Sequence, residues 1–308
     1  MTDVRGRHLI SLRDLTDEQL AELVRRSVDF ATRGRDPAGA LRGRVIGVLF
    51  TKTSTRTRTA FTAGALRLGA QVVTYGPGDL QLNTGETMAD TARALGGMLD
   101  AVVARTAGPE AELRTLSRHL GTVINAMSAQ EHPTQALADL STMRARFGDL
   151  TGLRVLYVGE GNNTASALAL ALPRLGLDLE LRTPPGHGLP PALVNEARAL
   201  GARSGGRIRQ RHDMAALPAG VDVVYTTRWQ TTGTTKPDPQ WRRVFAPFAV
   251  DAALMARFPD AVFLHDLPAH RGEEVAAEVL DGPASLAFEQ ARHKLHSAMA
   301  ALHWTLGE

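Results

Sequence analysis

The stretch Phe50 to Phe61, FTKTSTRTRTAF, gathers six hydroxyl side chains, two arginines and one lysine directly after the apolar run VIGVLF. A strand, a polar turn and a helix start together make an anion site. The free N–H groups of the first helical turn point outward, and the helix dipole favours negative charge there. Ser54, Thr55 and Thr57 can donate hydroxyl hydrogen bonds, and the Arg56 guanidinium can grip two phosphate oxygens at once. The pattern is not the P-loop, because G-x-x-x-x-G-K-[ST] is absent. A threonine-rich helix cap with solvated arginines is the other reading, and the residues alone leave both open.

Three further segments carry chemistry-bearing side chains. In QEHPTQALADL, His132 and Gln135 flank Pro133, which suits the first turn of a helix. A histidine there can polarise a carbonyl, and a glutamine can read an amide nitrogen; a capped helix with an ordinary histidine is the plainer alternative. In FLHDLPAHRGEEV, two histidines and three acids follow a strand, but no regular helix spaces them as metal ligands, so no metal is expected. In YVGEGNNTAS, the strand–glycine–helix order imitates a dinucleotide loop. Thr164 breaks G-x-G-x-x-G, which excludes a nicotinamide cofactor.

The elements that must position these residues alternate through the chain. Residues 15–32 read as an amphipathic helix, with Thr16 and Gln19 spaced as a capping box. Strands are expected at 44–50 and near 71, 101 and 122, with helices at 55–69, 86–99 and 109–120 between them. A long helix at 133–147 follows. Strands near 154–158, 178–182, 222–226 and 261–264 then restart the pattern, and 283–306 reads as one closing helix. The fold expected is α/β: two doubly wound parallel-sheet domains joined by helices. The Pro/Gly-rich segments 184–191 and 233–239 are expected as long loops, the second a candidate lid.

Bulk properties narrow the class. With 308 residues, 44% apolar and 22% charged, the chain is an ordinary globular protein large enough for two cores. No run reaches the length of a membrane span, and the N-terminus lacks the apolar core of a signal peptide, so the cytoplasm is the expected compartment. The absence of cysteine excludes disulfides, thiolate zinc sites and cysteine nucleophiles. Net charge is only +3, and the basic residues lie scattered among acids, which argues against nucleic acid. Three lysines, Lys52, Lys236 and Lys294, stand against 32 arginines.

In order, STRTR after a strand, HPTQ some way on and HDLPAHRGEEV near the end resemble the aspartate/ornithine carbamoyltransferase family. DLQLNTGETMADTARAL, VVART and GNN fall in the matching places, so the resemblance covers essentially the whole chain. It implies transfer of a carbamoyl group from carbamoyl phosphate to an amine, with phosphate released and no cofactor. It implies a carbamoyl phosphate domain at 1–132 completed by a C-terminal helix at 285–308, an interdomain helix at 133–147 and an acceptor domain at 148–284. It further implies a homotrimer whose active sites are shared between subunits.

The resemblance assigns roles residue by residue. Ser54, Thr55, Arg56 and Thr57 would bind phosphate, with Arg105 a second cation. Thr57, Arg105 and His132 would polarise the carbonyl oxygen. Gln135 and the Leu267 carbonyl would hold the carbamoyl nitrogen, and Lys294 would stand where relatives place an arginine. Arg56, Arg105, His132 and Gln135 form the catalytic set. Gln81 would reach across from a neighbouring subunit, and Thr84 replaces the lysine of aspartate enzymes, which favours the ornithine branch.

The acceptor side departs from that branch. Thr227 replaces an aspartate that grips the α-amino group, Thr231 and Thr232 replace a serine and a methionine, and Asp266 replaces a cysteine. Asn163 is kept. Arg228 and Gln230 match the carboxylate-binding pair of aspartate enzymes, although a solvated Arg228 is an equal reading. The expectation is an active carbamoyltransferase whose acceptor is an amino acid or small carboxylate-bearing amine other than ornithine. The alternatives are a divergent ornithine carbamoyltransferase and a catalytically silent homologue.

Overall fold

The computed structural model describes residues 7–33, 39–231 and 233–307. The chain divides into two compact units, Met1–Ser141 with Arg292–Glu308, and Thr142–Ala291. The first holds α1 (Asp17–Arg33), β1 (Val45–Phe50), α2 (Arg56–Arg67), β2 (Gln71–Tyr75), α3 (Met88–Gly96), β3 (Ala101–Arg105), α4 (Glu110–Ser117) and β4 (Thr122–Met127). Helix α5 (Pro133–Phe147) crosses the division in the chain. The second unit holds β5 (Arg154–Val158), α6 (Asn163–Ala171), β6 (Asp178–Arg182), α7 (Pro191–Gly201), β7 (Ile208–Arg211) and β8 (Val223–Thr226). The short α8 (Trp241–Phe245) and α9 (Ala252–Met255), β9 (Val262–His265) and α10 (Ala277–Leu280) complete it, before the long α11 (Ala287–Leu306).

The first sheet runs β2-β1-β3-β4 and the second β7-β6-β5-β8-β9, every pairing parallel. Parallel strands covered on both faces must be apolar along their whole length, and β3 and β4 are buried at every residue. Leu49, Val102, Ala104, Leu113 and Val123 share one core of the first unit. Leu156, Val158, Val224, Phe248 and Phe263 share one core of the second. The expected capping box opens α1: the Thr16 N–H donates to Gln19 Oε1 at 2.9 Å, and the Gln19 N–H returns to Thr16 Oγ1 at 3.2 Å.

Each sheet has one place where the strand order reverses. It lies between β1 and β3 in the first unit and between β5 and β8 in the second. Loops leaving the carboxyl ends of such a strand pair diverge to opposite faces and open a crevice, the usual ligand position in this architecture.

Three expectations shift. Strand β7, IRQR, was not anticipated, because an edge strand needs little apolar character and this one is mostly solvent-facing. Helix α11 starts at Ala287 rather than 283. The preceding residues instead bridge to β9, with the Phe263 N–H donating to Ala284 O and the Leu286 N–H to Phe263 O, both at 2.8 Å. Helix α2 starts at Arg56, with Thr55 as its cap.

Candidate functional site

In the first unit, Phe50 at the end of β1 pairs with Arg105 at the end of β3. The turn leaving β1 is stitched to that strand end: the Thr51 N–H donates to Arg105 O at 3.1 Å and Thr51 Oγ1 to Thr106 O at 3.2 Å. Thr55 caps α2 with no side-chain capping bond, so its hydroxyl is not spent on the helix's own N–H groups. Thr57 is buried, while Ser54 and Arg56 are half-buried. Ala107, two residues past Arg105, has φ 52°, a left-handed backbone that a Cβ disfavours and that recurs at ligand sites.

Around Arg105 the polar groups converge. Its Nη1 lies 3.5 Å from His132 Nε2, and both residues are buried. Three residues on in α5, Gln135 is pinned at both ends. Its Nε2 donates to Asp139 Oδ1 at 2.6 Å, and its Oε1 accepts from Lys294 Nζ on α11. The i, i+4 spacing of Gln135 and Asp139 puts both on one helix face. Burial, then the charges of Arg105 and Lys294, hold the His132 pKa well below its ordinary value, so the imidazole is neutral. Asp139 was not singled out in the sequence; its helical spacing from Gln135 was the signal.

The structure therefore brings Arg105, His132, Gln135 and Lys294 together, at the sheet edge from which residues 51–55 depart. Gln81 is exposed and bonded to Thr84, whose Oγ1 donates to Gln81 Oε1 at 2.9 Å. Beneath His132, Glu131 is fully buried and anchors the N-terminal segment. Its oxygens accept from Ser11 Oγ at 2.6 Å and the Leu12 N–H at 2.7 Å. Burial raises its pKa to about 7 against the opposing pull of those bonds and of Arg13.

In the second unit, Thr226 and His265 are paired at the ends of β8 and β9. The next residue of each strand meets its counterpart: Thr227 Oγ1 donates to Asp266 Oδ1 at 2.9 Å. Thr164, in the first turn of α6, donates to Asp266 Oδ2 at 2.9 Å. Asn162 caps α6 by accepting from the Thr164 and Ala165 N–H groups, and Asn163 is buried behind it. Leu267 has φ 53° and a cis bond to Pro268.

The loop after β8 is held by Glu160. Lys236 forms an ion pair with Glu160 Oε1, and Thr231 Oγ1 donates to Glu160 Oε2 at 3.0 Å. Lys236 Nζ also lies 4.6 Å from the Phe245 ring centre and 5.5 Å from that of Trp241. Gln230 spends its amide on Thr234 O at 2.8 Å. Arg228 is half-buried, and its Nε is buried with no hydrogen-bond partner. Thr232 lies outside the described residues. Glu160, Thr164 and Lys236 were not read as site residues from sequence.

His270, Glu273 and Glu274 lie close enough to share an ion. Glu274 Oε1 accepts from His265 Nε2 at 3.2 Å and Glu273 Oε1 from Arg242 Nε at 3.2 Å, while Glu274 Oε2 is buried with no hydrogen-bond partner. No helix among the described residues is long and apolar enough to cross a membrane.

Residues 7–145 match the carbamoyl-P binding domain of aspartate/ornithine carbamoyltransferase, and residues 151–305 match its Asp/Orn binding domain. A protein of Acidothermus cellulolyticus named ornithine carbamoyltransferase is 41% identical, over 97% of this chain and 96% of that one. One of Methanothermobacter thermautotrophicus, with the same name, is 37% identical over 98% and 99%. The solved ornithine carbamoyltransferase from Pyrococcus furiosus superposes with a TM-score of 0.92 at 36% identity, over 99% of both chains.

Proposed function

The chain belongs to the aspartate/ornithine carbamoyltransferase family, and we propose that it moves the carbamoyl group of carbamoyl phosphate to the amine of ornithine, releasing phosphate. The observation that carries the first half is the buried set Arg105, His132, Gln135 and Lys294 at the first sheet's reversal point. Ornithine comes from the relatives, whose names favour it over the different acceptor that the sequence led us to expect.

In this reading Ser54, Thr55, Arg56 and Thr57 take the phosphate, helped by the N–H groups that open α2. Arg105 and Thr57 face the carbonyl oxygen, and the neutral His132 donates an N–H to it. Gln135 accepts from the carbamoyl nitrogen with the second lone pair of the oxygen that Lys294 already orients. The neutral amine attacks the carbonyl carbon and a tetrahedral intermediate forms, with negative charge on that oxygen. Donors fixed in advance stabilise this charge more than they stabilise the bound substrate. The carbon–oxygen bond to phosphate then breaks, and the departing phosphate takes the proton from the attacking nitrogen. The second unit holds the acceptor through Asn163, Thr227, Arg228 and Asp266. Gln81, exposed here, would serve a neighbouring subunit of a homotrimer, which sedimentation would test.

A second acceptor, a shorter diamino acid, is favoured by one observation. The hydroxyl of Thr227 is bonded to the Asp266 carboxylate, a pairing that a housekeeping ornithine site is not expected to contain. Phosphate release from carbamoyl phosphate, measured with ornithine, putrescine, lysine, aspartate, 2,4-diaminobutyrate and 2,3-diaminopropionate, separates the readings when each product is identified by mass. Turnover best with ornithine supports the first. A better shorter diamino acid supports the second. Phosphate release from none of them overturns both.

A further inference from the structure

Two carboxylates stand at the carboxyl end of the second sheet, Glu160 after β5 and Asp266 after β9, and their electrical surroundings differ. Glu160 is neutralised by Lys236. Asp266 is not: Thr164 and Thr227 each donate to one of its oxygens, and no lysine or arginine among the described residues pairs with it. The nearest candidate cation, His265, lies 3.5 Å away but does not serve. Its Nδ1 accepts the Leu267 N–H at 2.8 Å, which leaves the imidazole proton on Nε2, directed at Glu274.

The Asp266 side chain is only 15% exposed. A carboxylate so withdrawn from water wants a counter-charge, and two hydroxyls supply only part of one. They leave further lone pairs on both oxygens for another donor. Beside Thr227 in the chain, Arg228 has the reverse need: a buried Nε–H with no acceptor. An unmatched anion and an unmatched donor on adjoining strand ends describe the two charges of an amino acid's α-carbon.

Resting on the carbamoyl-transfer reading and its diamino-acid acceptor, we infer that Asp266 seats the non-reacting α-ammonium of that acceptor and Arg228 its carboxylate. The carboxylate that does this work comes from the end of β9, not from the end of β8, where Thr227 has none to offer.

The test compares Asp266→Asn with the unaltered enzyme, using ornithine, 2,4-diaminobutyrate and 5-aminopentanoate, which lacks the α-ammonium. Asparagine keeps the shape and can still bond both threonines. The expected result is a KM for the better diamino acid raised about 10- to 100-fold, with kcat changed less than about 3-fold. The KM for 5-aminopentanoate should stay put. The pair Thr227→Asp with Asp266→Thr, which moves the charge one strand over, should recover most of the loss. An unchanged KM in Asp266→Asn, or equal losses with both kinds of acceptor, would overturn the assignment.

If the unaltered enzyme releases no phosphate with any amine, the carbamoyl-transfer reading fails by itself. Calorimetry with the diamino acids, in the presence of inorganic phosphate, then decides the assignment. Binding that weakens in Asp266→Asn by a similar factor supports it; binding that is equal in both proteins, or absent from both, overturns it.

Discussion

Lys294 and Gln135 are joined by a hydrogen bond across 159 residues of chain, inside a unit where both are buried. The ammonium donates to the amide oxygen while Asp139 takes the amide nitrogen, so the glutamine cannot turn over. Replacing Lys294 by methionine should raise the KM for carbamoyl phosphate about 10- to 100-fold, the worth of one charge-assisted bond. Arginine at 294 should keep most of the affinity. Initial rates at varied carbamoyl phosphate check this, and a methionine variant that saturates like the unaltered enzyme would remove Lys294 from the site.

His132 offers a second expectation. Its pKa is held low by burial and by two cations, so the neutral imidazole persists from alkaline pH down to well below 6.5. The rate should therefore show no fall-off centred near 6.5. A kcat–pH profile between 5 and 8 makes the check. His132→Asn should lower kcat about 10²- to 10³-fold at every pH in that span, as for other lost donors to a developing oxyanion.

Glu131 predicts a pH-dependent stability. Its folded pKa, about 7, lies above the ordinary 4.5, so the folded protein binds the proton more tightly than the unfolded chain does. The contribution is fully present below pH 4.5 and is lost as pH rises through 7. Across that window it amounts to about 3 kcal/mol. Urea midpoints of the unaltered protein and of Glu131→Gln, taken from pH 4 to 8, should diverge accordingly. Glutamine can accept the Leu12 N–H and donate to Ser11, which mimics the protonated acid, so its midpoint should not fall over the window. Parallel curves would contradict the proton on Glu131.

Much of this arrangement is written in the chain. The buried strands β1, β3, β4 and β5 announce themselves as apolar runs, and Pro133 and the Thr16–Gln19 spacing mark their helix starts. The turn between β1 and α2 was readable because its signals, an apolar run followed by threonines and serine, are local. What was not readable depends on register or on short lengths. Asp266 was expected on the acceptor side, but its bond to Thr227 needed the pairing of β8 with β9. Lys294 needed the fold of α11 to reach Gln135. Helices α8, α9 and α10 are one turn each, too brief for periodicity to register.

Thr227 and Asp266 each stand one residue beyond the last rung of the β8–β9 ladder, Thr226 with His265. Exchanging them leaves every backbone rung of that ladder in place. On the reading proposed above, acceptor choice rests on side chains that stand just past the ladder. On that reading two single substitutions carry a carboxylate from one strand tip to its neighbour, through an intermediate with two charges or none, without touching a rung of the ladder.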